Sequence, residues 1–219
     1  MTDQRLRELE RRWQEAGAVV DEAAFLLERV RVGELVVDDL RRAAYCGHAG
    51  AQYACGEAMD INGENLGLWV MAYELEAPWW NRSCVVLAAL TACSFATFPS
   101  DCREQAEAAI PAARGWLDCP CDEHARQARA VSESLEELRN GPWPALDAAI
   151  ESANACWHEA PALCAQNAVW CVIEALAGVS VPPEGEEPSD REARLETEAG
   201  VRRRIEDECA RSALLGKLR

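Results

Sequence analysis

Two thiols and an imidazole lie within six residues in the segment Trp116-Leu117-Asp118-Cys119-Pro120-Cys121-Asp122-Glu123-His124. Thiolate sulfur and imidazole nitrogen are the donors that zinc selects. Cys119, Cys121 and His124 are therefore the candidate metal ligands, and zinc is the candidate ion. Cys121 and His124 are three positions apart, so a helix would carry them on one face. The spacing is Cys-x-Cys rather than Cys-x-x-Cys, and no matching second pair lies nearby. Redox use of the same cysteines is the companion chemistry. A plainer reading is a turn between two helices. In that reading Asp118 or Asp122 caps the second helix, and the acids of its first turn favour the N-terminal dipole.

The other reactive side chains are spread out. The chain has eleven cysteines, an odd number that cannot pair fully within one chain. Cys84, Cys93 and Cys102 recur every nine residues, which does not keep one helical face. Cys164 and Cys171 share a face beside Trp170, as an apolar stripe would. His48 follows Gly47 and His158 precedes Pro161, where a cation would suit the end of a helix. No nucleophile elbow, phosphate-binding loop or paired-histidine helix occurs. Catalytic residues are none on this reading.

The elements that must hold these groups are helices. Of 219 residues, 39 are alanine, the best helix former. Eight of the fourteen aromatic residues are tryptophan, so few large side chains anchor a core of small ones. Apolar positions and glycine stops predict four short helices before residue 60. Asp60-Ile61-Asn62-Gly63-Glu64-Asn65 is turn chemistry and marks a boundary. Longer helices are predicted from about 66 to 75, 78 to 98, 101 to 118, 121 to 138, 144 to 157, 161 to 177 and 190 onward. Pro111 should kink or split its helix after Ile110, and Gly200 is a weak point in the last one. The stretch 178–189 is rich in proline and acid and reads as a solvated loop. No stretch alternates with period two for long enough to argue a strand. The expected fold is all-α, with nine or ten helices in stacked antiparallel pairs. The expected domains are a small helical module over 1–60 and an Ala-rich bundle over 66–219.

Charge narrows the partners. The formal net charge is −16, which disfavours direct nucleic-acid binding. From 43 to 180 there are six arginines and eighteen acids. Such a surface suits a basic protein partner, or serves solubility alone. Trp79 and Trp80, at a helix start, are candidate anchors for that partner or staples of the core. The richest apolar run, 85 to 98, is too short to span a bilayer, so no membrane contact is expected. The charged N-terminus lacks the apolar centre of a signal peptide. A cytoplasmic chain with reduced thiols is the expectation. Oligomeric state stays open.

Two resemblances add to this reading. The first sixty residues, with Leu9-Glu10-Arg11-Arg12-Trp13, Asp21-Glu22-Ala23-Ala24, Gly33-Glu34-Leu35 and Ala43-Ala44-Tyr45-Cys46-Gly47-His48, resemble a helical module of uncharacterised proteins from GC-rich soil bacteria. That likeness implies no activity. The region from about 80 to 177, with Ser100-Asp101, Ala108-Ala109-Ile110, Ala112-Ala113 and Trp116-Leu117, is similar to immunity proteins of bacterial polymorphic-toxin systems. That likeness implies an all-helical, non-enzymatic protein that binds and neutralises a toxin, or an adaptor of similar kind.

Overall fold

The computed structural model describes residues 2–56, 70, 81–98, 100–139, 143–177 and 188–217. Among these residues every regular element is a helix, so the all-α expectation holds. The helices are α1 (Thr2–Ala16), α2 (Val19–Val32), α3 (Val37–Tyr45), α4 (Ala49–Cys55), α5 (Arg82–Cys93), α6 (Arg103–Glu107), α7 (Ala109–Asp118), α8 (Asp122–Leu138), α9 (Pro144–Asn154), α10 (Pro161–Ala177) and α11 (Pro188–Leu214). No helix among the described residues is long and apolar enough to cross a membrane. The turn at 60–65, Trp79, Trp80 and all but the end of the acidic stretch 178–189 lie outside the described residues.

By backbone contacts the chain groups into two units, 1–62 with 206–219, and 63–205. The sequence assigned the C-terminal residues to the Ala-rich bundle. Residues 206–219 instead group with the first four helices, and the uninterrupted α11 contributes to both units. Gly200 does not break it, because the helix continues on both sides of that residue.

In the first unit α1 packs on α2, and Trp13 stacks on Phe25 at 5.4 Å. Gly50 of α4 packs against the Glu22 side chain of α2, and a Cβ there would require the Glu22 carboxylate to shift. Asp39 and Arg42 form a buried ion pair on α3.

The second unit is organised around α9, which touches α5, α6, α7, α8 and α10. Its inward residues are mostly small: Ala145, Ala148, Ala149 and Ala153, with Leu146 and Ile150 between them. Helix α5 is apolar around its circumference and is buried over most of its length. The Ser152 hydroxyl lies 2.8 Å from the Ala148 carbonyl of its own helix and 3.1 Å from the Ala89 carbonyl of α5. At the start of α5, the Asn81 side chain accepts from the Cys84 N–H. Beside it Arg82 donates to the carbonyls of Cys156, at 3.5 Å, and His158, at 2.9 Å. It thereby satisfies carbonyls beyond the end of α9 that have no helical partner.

The split near Pro111 lies upstream of the predicted place. The break is at Ala108, and Pro111 is the third residue of α7. A proline ring clashes with the carbonyl four residues earlier, while its missing N–H is harmless in a first turn. The helix therefore restarts ahead of the proline instead of bending after Ile110.

Leu146 is fully buried in the cluster that joins α9 to α6, α7 and α8. Leu146→Ala is expected to cost about 2–5 kcal/mol, read as a lower urea midpoint under reducing conditions. Leu163→Ala, at a site 44% exposed, should stay within about 0.5 kcal/mol.

Candidate metal centre

The turn between α7 and α8 positions all three candidate ligands. Cys119 follows α7 with extended backbone (φ −146°, ψ 90°), and Cys121 is the N-cap of α8 with φ −125° and ψ 164°. The Cys121 N–H donates to the Cys119 carbonyl at 2.8 Å, folding the chain tightly across Pro120. His124 lies one turn into α8, on the face that carries Cys121. Its Nδ1 is 3.1 Å from Cys121 Sγ.

The ligand atoms of Cys119, Cys121 and His124 all lie within 4.8 Å of one another. A tetrahedral zinc, bonded to sulfur at about 2.3 Å and nitrogen at about 2.1 Å, holds its donors about 3.5–3.8 Å apart. The three groups therefore need only small rotations to enclose an ion. The proton held between Sγ and Nδ1 is what a bound cation would replace. Cys119 is exposed, and Cys121 and His124 are half-buried.

Helix α7 fixes the other side of the imidazole. Trp116 anchors α7 in the core, and Gly115 stands beside the ring. A Cβ on Gly115 would come within 3.2 Å of His124 Cδ2. The missing side chain makes room for the histidine. Neither Asp118 nor Asp122 is the N-cap of α8, contrary to the capping expectation. Asp118 ends α7, Asp122 opens the first turn of α8, and Cys121 takes the cap position between them. Glu123 is engaged by Arg126 and Gln127 and is not among the converging donors.

The thiols of this protein differ in acidity for clear physical reasons. Backbone N–H groups at the start of α8 and the His124 ring favour the Cys121 thiolate, and bring the thiol down to about 7. Cys119 is pushed up by its hydrogen bond to the Cys121 sulfur and by the charge there. The pair therefore ionises in two steps, Cys121 first. Elsewhere desolvation dominates: Cys93 is raised to about 11, and Cys156, Cys164 and Cys171 to about 12. Cys93, Cys156 and Cys164 are core residues, Cys171 is half-buried, and Cys93 and Cys102 share one apolar cluster in spite of their spacing.

The other two histidines accept hydrogen bonds from nearby backbone. His48 is the N-cap of α4, where Nδ1 accepts from the Ala51 N–H at 3.2 Å. His158 Nδ1 accepts from the Ala160 N–H at 3.0 Å. A cleft of about 960 Å³ in the first unit is floored by Leu6, Phe25 and Leu26. Its rim groups face one another, His48 with Glu22 at 3.6 Å and Arg29 with Glu34 at 3.9 Å. Sequence reading passed over Gly115 and Arg82. A glycine inside a helix, before a turn that carries a histidine, was the signal for the first. Nothing local signals the second, whose partners lie more than seventy positions away.

No protein-family model matches the chain, and no curated protein or solved structure matches it significantly.

Because its thiol is held near 7, Cys121 should be the first cysteine alkylated by iodoacetamide in the native protein. Its thiolate fraction grows as pH rises through about 7, so the labelling rate should reach half its plateau there. In His124→Ala that midpoint should move toward the ordinary thiol range. Peptide mass mapping across pH reads both.

Proposed function

We propose that this helical protein binds one soft divalent cation of the zinc class at the α7–α8 turn, through Cys119, Cys121 and His124. The observation that carries the reading is the convergence of two sulfurs and one imidazole nitrogen within 4.8 Å. The donor set suits zinc rather than magnesium or calcium, which take oxygen ligands. The low acidity threshold of Cys121 supports it, since a thiol must lose its proton to bind. A bound cation would stabilise the Cys119 thiolate as well. With three protein donors, the fourth position takes water or a group brought by a partner. Bound there, the ion would staple the end of α7 to the start of α8.

Zinc should bind the reduced protein with one equivalent per chain in a competition titration against a chromogenic chelator. Cys119→Ser, Cys121→Ser and His124→Ala should each weaken binding about tenfold or more. Equal affinity in wild type and all three variants would sink the proposal. The unfolded chain also offers cysteines to zinc, so the titration belongs on folded protein.

A second reading concerns the surface around this turn. Between 101 and 139, exposed carboxylates outnumber exposed guanidiniums nine to five. That excess supports docking of a basic protein, in an immunity-type or adaptor role, by charge complementarity and steering. Native mass spectrometry of the gently isolated protein should then show an added polypeptide mass that disappears at high salt. A bare chain mass at low salt would count against docking.

A further inference from the structure

We infer that the Cys119-Pro120-Cys121 turn is also a thiol–disulfide exchange site, oxidised to an intra-turn disulfide by a low-molecular-weight disulfide, and that closing this bond expels the cation. The second half rests on the metal reading above; the first half does not.

The geometry argues for closure. The turn across Pro120 brings the Cys119 and Cys121 sulfurs together on the side that carries His124. The 2.8 Å hydrogen bond from the Cys121 N–H to the Cys119 carbonyl contracts the chain between them. Contraction draws the α-carbons toward the separation of about 4.4–6.8 Å that a disulfide spans. The sulfurs already belong to a cluster whose donor atoms lie within 4.8 Å. Pro120 fixes its own φ, which limits the freedom lost when the ring closes.

Access argues for selectivity. Cys119 is exposed, and the other ten cysteines are buried or half-buried. Cys46, Cys84, Cys93, Cys102, Cys156, Cys164 and Cys209 are buried, and Cys55 and Cys171 are half-buried without a second thiol two residues away. A dissolved disulfide therefore meets this turn first.

The exchange balances in two steps. One cysteine sulfur attacks a sulfur of the reagent, forming a mixed disulfide, and the first reagent thiol leaves with the electron pair. The second cysteine sulfur then attacks the bonded protein sulfur, and the second reagent thiol leaves. The two cysteine protons end on the two released thiols. The protein is oxidised by two electrons and the reagent is reduced by two. A disulfide sulfur is no longer a thiolate donor, so the site keeps only His124 and cannot hold the ion.

The test uses the full-length reduced protein in glutathione buffers, with peptide mass mapping and zinc release read together. In metal-free protein, a buffer dominated by oxidised glutathione should remove two hydrogens from the peptide that holds Cys119 and Cys121. Excess reduced glutathione should restore them. Cys119→Ser should stop at a glutathione adduct on Cys121. Absence of the two-hydrogen loss in metal-free wild type overturns the exchange site, whatever zinc does. His124→Ala separates the two readings: it should lose zinc affinity and still close the disulfide. In zinc-loaded wild type, closure and zinc release should proceed together. Zinc retained after closure overturns the coupling. Closure in a protein that never bound zinc overturns the metal reading and leaves the exchange site standing.

Discussion

Everything in the second unit depends on how closely α9 approaches α5. Alanine side chains on both helices are fully buried, and the Ser152 hydroxyl reaches a carbonyl of the neighbouring helix. Close approach multiplies weak dispersion contacts that a loose core would lack. It also leaves no slack. Helices α6, α7 and α8 rest on α9, so the spacing of the α7–α8 turn follows from this packing. Arg82 closes the same arrangement at one end by holding the carbonyls of Cys156 and His158.

Much of the helical frame was legible in the sequence because its determinants are local. Gly17, Gly33, Gly47 and Gly56 all adopt positive φ near the ends of the first four helices, where glycine is favoured. The limits of α10, at Pro161 and Ala177, agree with the sequence prediction. The departures have non-local or steric causes. Pro111 moved a helix break upstream because its clash lies four residues back. The predicted helix to 98 ends at Cys93, where the Ser94 hydroxyl turns back to the Thr91 carbonyl. The grouping of 206–219 with the first module depends on contacts about two hundred residues apart in sequence. The Arg29 bond to the Leu214 carbonyl is one of them, and no periodicity encodes it.

The candidate site was legible in type and incomplete in detail. Cys119, Cys121 and His124 were visible as donors at workable spacing. Sequence could not show that the turn across Pro120 would bring both thiols to one side, or that Gly115 would clear space for the ring. Nor could it show that Cys121 would take the N-cap position of α8. Capping statistics favour Asp, Ser, Thr and Asn, so a cysteine between two aspartates is the least expected choice. That choice turns a structural position into a reactive one. The hydrogen bonds from His124 there favour the Cys121 thiolate.

The remaining cysteines give the fold a chemical memory of its own opening. While the core is closed, burial pushes the Cys93 and Cys156 thiols up and keeps Cys46, Cys84, Cys102, Cys164 and Cys209 away from solvent as well. A molecule that unfolds in an oxidising medium exposes them together. Mispaired bridges formed while the chain stays open would block the helices from repacking. With an odd total, at least one sulfur is always left to join another chain. Loss of structure would become irreversible, and lifetime under oxidative heat would be set by the rate of opening rather than by equilibrium stability.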